Sequence, residues 1–228
     1  MSETEIDFGR PIPLFPLAQC VLLPHATIPL HIFEMRYRQM TREAVDSYGL
    51  IAMATFAGND WKSEYNDNPQ VRPIVCVGYI AQHELLPDGR YNILLQGLCR
   101  AKIVDEKQHE PYRMGLLEPT EINIPMEIDL GDHRRRLESL FSDSLLKRLA
   151  TISTINKWLS KEIPTSAVVD LAALTVCGNV EQRYTMLAEP SIHARAQWLQ
   201  RYLEDTRQTL AAAERIGCVK TDEGWILN

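Results

Sequence analysis

Residues 13–38 read PLFPLAQCVLLPHATIPLHIFEMRYR, and the way this stretch folds decides how the remainder must be arranged. Four prolines, Pro13, Pro16, Pro24 and Pro29, punctuate three apolar runs at 14–17, 21–23 and 28–33. Each proline lacks an N–H and pushes the residue before it toward extended geometry, so no helix fits before about Ile32. From Phe33 the pattern changes: Phe33, Tyr37, Met40, Ala44 and Tyr48 share one face of a 3.6-residue period, which predicts a helix. Leu30, Ile32 and Phe33 are expected in the core, where large apolar side chains usually sit. Glu34 stands close to Arg36 and Arg38, and a carboxylate–guanidinium pair there would lock the strand-to-helix junction.

Working outward, residues 50–56 (LIAMATF) predict a buried strand, and 58–69 (GNDWKSEYNDNP) a polar surface loop carrying Trp61 and Tyr65. Residues 74–84 predict a strand that leaves the core. Pro87 and Gly89 fit the second and fourth positions of a type I turn from Leu86, and residues 91–95 complete a hairpin. Gly97 breaks the period as a bulge would, before 99–104 and 112–118 continue as strands. A sheet so interrupted would curl into a small barrel.

Beyond a proline-broken connector at 121–131 the composition changes. Between Asp132 and Ala213 only Pro164, Pro190 and Gly178 interrupt apolar stripes of helical period. The stripes are Leu137, Leu140, Phe141, Leu145 and Leu149; then Ile155, Trp158 and Leu159; then a helix capped by Thr165 and ended by Gly178; then 180–187; and a long last helix capped by Ser191. The expected class is α+β: a β-rich domain at 1–120, the connector, a helical bundle at 132–216 and a loosely held tail at 217–228.

The run PLFPL, then LLP, then PLHIFE followed by RYR resembles the signature of the Lon protease N-terminal (substrate-binding) domain family. It includes Pro29, Leu30, His31, Ile32, Phe33, Glu34, Arg36 and Tyr37. Further matches are Val77–Gly78, Asp88–Gly89–Arg90, Gly97, Arg100, Tyr112, Asp170–Leu171–Ala172 and the stretch from Arg195 to Leu203. His25 stands where the family commonly has glycine, Tyr79 where threonine is usual, and Ala101 where a bulky residue is common. The resemblance implies a PUA-like β pseudo-barrel with one helix, followed by a helical bundle, and a module that recognises polypeptide substrates.

Lon proteases also carry an ATPase module and a Ser–Lys dyad. No Gly–Lys dipeptide occurs here, so no P-loop is present, and the expectation is a recognition domain without those modules. Neither GxSxG nor GxGxxG occurs. The sequence HELLP from His83 lacks the second histidine of a zinc site. His25, His31 and Cys20 form only a loose trio, so neither metal nor cofactor is expected. Five widely spaced cysteines without a CxxC pair suit a reducing cytosol, and the acidic N-terminus without an apolar core suits a cytoplasmic protein with no membrane segment. Residues 1–130 hold 11 Lys and Arg against 18 Asp and Glu, a net of −7, which disfavours nucleic acid; His133–Arg136 is the one strong basic run.

The leading expectation is therefore a non-enzymatic binder of unfolded or exposed polypeptide segments, working with an ATP-dependent protease or another protein. Its candidate contacts are Trp61, Tyr65, Leu85, Leu86 and Tyr91. RNA binding through the PUA-like fold and an enzyme with an unrecognised site are the alternatives.

Overall fold

The computed structural model describes residues 6–58, 60–62, 69–109, 111–121, 125–152, 155, 163–216, 218–221 and 224–227. Backbone contacts divide the chain into two compact units, residues 1–123 with 177–190 and residues 124–176 with 191–228.

The first unit is built on β1 (Ile12–Leu17), β2 (Thr27–Ile32), α1 (Met35–Val45), β3 (Leu50–Thr55), β4 (Ile74–Leu85), β5 (Tyr91–His109) and β6 (Tyr112–Pro119). β1 pairs in parallel with β3 and antiparallel with β6, β3 with β4, β4 with β5, and β5 with β6, so the pairing returns on itself as a ring of five strands. Among the described residues β2 pairs only with β5 and lies at the open edge. The ring encloses Ile12, Leu14, Leu50, Ala52, Ala54, Val75, Val77, Ala101 and Leu117. The small side chains among these suit the narrow interior of such a closure.

The 19-residue β5 changes neighbour along its length. Its first part, 91–96, pairs with β2, and 101–109 pairs with β6. The register with β4 slips opposite Val77/Gly78, leaving Leu98 as the extra residue beside Gly97. That is the bulge expected from Gly97, and it bends the strand where its partner changes. The Gly97 backbone is also held by a loop: His25 N–H donates to its carbonyl at 2.9 Å, and its N–H donates to the Ala26 carbonyl at 2.8 Å. The second apolar run forms that loop rather than a strand, yet Val21, Leu22 and Leu23 are wholly buried. The loop turns at His25 with φ +66°, left-handed backbone that favours glycine and so accounts for the family's usual residue there.

The strand-to-helix junction differs from expectation at one residue. Ile32 is buried and Leu30 half-buried, but Phe33 is 62% exposed. Phe33 still follows the two-residue period of β2, which turns it opposite to Ile32, and the helical period begins only at Met35. Tyr48, on the far side of the helix end, is exposed as well, whereas Tyr37, Met40 and Ala44 carry the buried face. The Arg36 guanidinium holds Glu34 at 3.1 Å and lies 4.7 Å over the Tyr37 ring, so this ion pair braces the junction.

Residues 177–190 belong to this unit and contribute α4 (Val180–Ala188), capped by the Asn179 side chain, which accepts from Gln182 N–H at 2.9 Å. Arg72 grips the Glu181 carboxylate and lies 4.5 Å over the Tyr184 ring, while Ile74 N–H donates to the Tyr184 hydroxyl. Buried Arg100 reaches the Met186 carbonyl at 3.4 Å and Glu121 at 3.3 Å. A guanidinium at the last turn of a helix also suits the helix dipole.

In the second unit α2 (Gly131–Phe141), α3 (Thr165–Val176) and α5 (Ile192–Arg215) pack against one another. The apolar stripe from Leu137 to Leu149 is not one helix. The Asp143 carboxylate accepts from the N–H groups of Leu145 and Leu146, ending the first element and starting a 3₁₀ turn at Leu146–Arg148. Of the second stripe, Ile155 is buried, and Trp158 and Leu159 lie outside the described residues. Thr165 is the first helical residue, and its N–H and hydroxyl are received by the Glu127 carboxylate; Ser191 caps α5 as expected. Asp170 and Arg195, both part of the resemblance, form a buried ion pair with Nε 3.5 Å from Oδ1. β7 (Cys218–Thr221) and β8 (Gly224–Leu227) pair antiparallel as a hairpin. Among the described residues no helix is long and apolar enough to cross a membrane.

Candidate functional site

The β4–β5 hairpin and β2 together present a three-stranded face. Register sets two rows across it: Glu84, Asn92 and His31 in one, Gln82, Leu94 and Pro29 in the next. These residues line an open trough of about 380 Å³. Strand geometry separates the rows by about 6.6–6.8 Å. One row is polar; the other offers Leu94 and Pro29 beside the neutral amide of Gln82.

Hydrogen bonding fixes the polar row. The Glu84 carboxylate can only accept, so the Asn92 amide nitrogen faces it at 3.0 Å. The Asn92 amide oxygen then faces His31 Nδ1 at 2.8 Å, which puts the ring proton on Nδ1 and leaves Nε2 to accept from Arg90 at 3.1 Å. Arg90 is anchored in turn by Asp88, at 2.6 Å through Nε and 2.5 Å through Nη2. The Arg90 side chain and its backbone N–H hold the Asp88 carboxyl down at about 2.

The turn that ends the trough closes as expected, with Gly89 N–H donating to the Leu86 carbonyl at 2.8 Å. Gly89 has φ +80°, and a Cβ there would strike the guanidinium of Arg38, so the RYR and Asp88–Gly89–Arg90 motifs meet in space. The Phe33 ring stacks on His31 with centroids 6.3 Å apart and extends the apolar surface past the polar row.

The residues singled out for peptide contact are not gathered in one place. Trp61 is half-buried and stacks on buried Phe56 with centroids 5.3 Å apart, so it folds back on the core. Tyr65 lies outside the described residues. Tyr91 is only 8% exposed and faces inward, which removes it as a contact. Leu86 is half-buried in the turn. Leu85 is 60% exposed, but it pairs with Tyr91 and so lies on the face opposite Glu84. The trough residues Gln82, Glu84, Asn92 and Leu94 were missed because hairpin register, invisible in composition, aligns them. The available signal was the polar Asn92 between apolar Tyr91 and Ile93, which sets the outward side of the strand.

Among the described residues no three His, Cys, Asp or Glu side chains are grouped to hold a metal, and Cys20, His25 and His31 form no such group. A second cavity of about 220 Å³, lined by Ile12, Ala44, Tyr48 and Leu50, opens beside Arg10, whose guanidinium is already engaged by Asp7 and Tyr48. The basic run of the second unit is consumed internally: Arg134 pairs with Glu138, Arg135 with Asp132 and Arg136 with Glu204. Little free positive charge remains there for a phosphate backbone.

Comparison with known proteins gives a consistent picture. The chain is 24% identical to a Lon protease of Dictyoglomus thermophilum over 95% of its own length and 27% of that protein's. It is 28% identical to a Lon protease of Trichlorobacter lovleyi over 72% of its length and 19% of that protein's. It thus spans about a quarter or less of these relatives. Its fold is similar to the crystal structure of a Lon N-terminal domain protein from Xanthomonas campestris, with TM-score 0.57 and 20% identity over 85% of this chain and 98% of that one. It is also similar to the N-terminal domain of Mycobacterium avium complex Lon protease, with TM-score 0.61 and 14% identity over 86% of this chain and 99% of that one. The family model of the ATP-dependent protease La (LON) substrate-binding domain matches residues 11–205, and the chain belongs to that family.

Proposed function

We propose that this chain captures exposed or unfolded segments of other polypeptides on the β2–β5–β4 trough and breaks no bond itself. The observation that carries the reading is the trough itself: a concave face with one apolar row, continued by the outward ring of Phe33. Pro29 deprives β2 of one N–H, which blunts its open edge for strand addition, so the face rather than the edge is the seat of binding. In this reading the ring of strands is a PUA-like pseudo-barrel, the helices of 132–216 a bundle, and the working place the cytoplasm, where an ATP-dependent protease or another protein receives what is held. The division into domains at 1–120 and 132–216 is part of the same proposal.

The test is a titration of ¹⁵N-labelled protein with unfolded casein. The amide signals of His31, Asn92 and Leu94 are expected to shift to saturation, and Phe33→Ser to weaken the interaction. Unmoved trough signals at saturating casein would overturn the reading.

A further inference from the structure

We infer that the trough selects segments bearing a lysine or arginine two residues from a large apolar side chain, with Glu84 as the residue that reads the cation. This inference rests on the peptide-binding reading and specifies its substrate class.

The argument begins with charge. Three acidic groups lie on the trough, in its turn and just beyond β2, and two of them are matched by a guanidinium. Asp88 is held by Arg90 through two nitrogens, and Glu34 by Arg36. Glu84 forms no ion pair among the described residues; its one hydrogen-bond donor is the neutral Asn92 amide, which orients the carboxylate without discharging it. Glu84 is exposed and is the one acidic residue lining the trough.

Spacing supplies the second half. An extended segment laid along the strands sends every second side chain downward, at about 6.6–6.8 Å intervals. That interval equals the separation of the polar row from the Leu94–Pro29 row. A segment lying over β5, with its cation reaching across to Glu84, therefore places the side chain two residues away on Leu94 and Pro29, whichever way the segment runs. The acidic balance of residues 1–130 adds a long-range attraction of the same sign.

Three capped heptapeptides provide the test: Gly-Ser-Lys-Ser-Leu-Ser-Gly, its counterpart with glutamine for lysine, and Gly-Ser-Lys-Leu-Ser-Ser-Gly, in which the two side chains are adjacent. Binding is followed through the amide signals of Asn92 and Leu94. The first peptide should bind roughly twofold to fivefold more tightly than either other, the range for an exposed ion pair, and the advantage should shrink in high salt. Glu84→Gln should abolish the preference for lysine over glutamine while leaving the spectrum of the free protein otherwise intact. Equal binding of the lysine and glutamine peptides, with trough signals shifting, would overturn this inference and leave the peptide-binding reading standing. Equal binding of the spaced and adjacent peptides would overturn the two-row geometry. Trough signals unmoved by every peptide and by casein would overturn both readings.

Discussion

Replacing Gly97 by alanine tests how the trough is held in place. A Cβ at this position would lie well under 3.0 Å from the Leu23 carbonyl oxygen, 3.0 Å from its carbonyl carbon and 3.1 Å from Cys76 Sγ. The obstacle is backbone, so no rotamer change relieves it, and the loop through Leu23–Ala26 must lift away. Lifting it removes the bonds from His25 N–H to the Gly97 carbonyl and from Gly97 N–H to the Ala26 carbonyl. Two backbone bonds contribute about 1 kcal/mol each, and crowding of a packed interior costs about 1–3 kcal/mol. Reduced freedom of the unfolded chain offsets about 0.4–1 kcal/mol. The expected net loss is about 2–5 kcal/mol, or roughly 1–2.5 M in urea midpoint for an m-value near 2 kcal/mol/M. Trp61 is the sole tryptophan within residues 1–123 and 177–190, so 5-fluorotryptophan labelling with ¹⁹F detection reports the unfolding of this unit separately. Because the loop leads directly into β2, the variant should also bind casein less well. A loss under about 0.5 kcal/mol, with exchange of the Gly97 amide unchanged, would refute the reasoning.

Other expectations follow from the same geometry. His25→Gly should be more stable than His25→Ala by about 1 kcal/mol, since only glycine occupies φ +66° without strain; urea unfolding of the two variants measures this. Asp170→Ala removes the carboxylate from a wholly buried ion pair with Arg195 and should cost about 3–5 kcal/mol. Asp170→Leu with Arg195→Met should recover most of that loss in thermal unfolding. Burial, and then the hydrogen bond to Glu43, raise the Tyr112 pKa above its usual value. Its contribution to stability is therefore complete below about pH 10 and is lost as pH climbs toward the folded value, so Tyr112→Phe should flatten the alkaline limb of the stability profile. Burial pushes the Cys99 and Cys177 thiols up to about 11 and raises Cys20 as well, so iodoacetamide at pH 8 should modify them slowly in the folded protein and rapidly in urea.

The parts legible in the sequence were those governed by local rules. Proline spacing announced the extended start, Pro87 and Gly89 announced the turn, Gly97 announced the bulge, and Ser191 announced the last helix. What escaped was set by partners distant in sequence. Phe33 obeys the strand behind it rather than the helix ahead of it, and Asp143 divides a stripe that periodicity alone joins. The fully buried run Val21–Leu23 lacks strand pairing because its loop is fixed by Gly97, more than seventy residues away. Loop and hairpin-tip positions suggest exposure for Trp61 and Tyr91, but Trp61 stacks on Phe56 and Tyr91 is buried.

The residues that carry the family resemblance and those that line the trough overlap on β2, at Pro29, Leu30 and His31, but not on β4 and β5, and the difference has a physical cause. Tyr37 and Ile32 are buried, Gly89 is fitted against Arg38, Gly97 against a loop carbonyl, Arg100 against the end of α4, and Asp170 against Arg195. Each satisfies a backbone or charge requirement that one residue type meets at least cost, so each specifies the scaffold. Gln82, Glu84 and Leu94 meet no comparable requirement, because their outward side chains can change without disturbing the ladder beneath them. A shared signature in such a domain therefore specifies the curvature and position of the trough, whereas its chemistry is set by a few outward side chains on β4 and β5. If so, exchanging Gln82, Glu84 and Leu94 should alter which segments are held while leaving unfolding midpoints within about 0.5 kcal/mol per substitution, as expected of surface positions. A collapse of the fold on that exchange would show that scaffold and selectivity are not separable here.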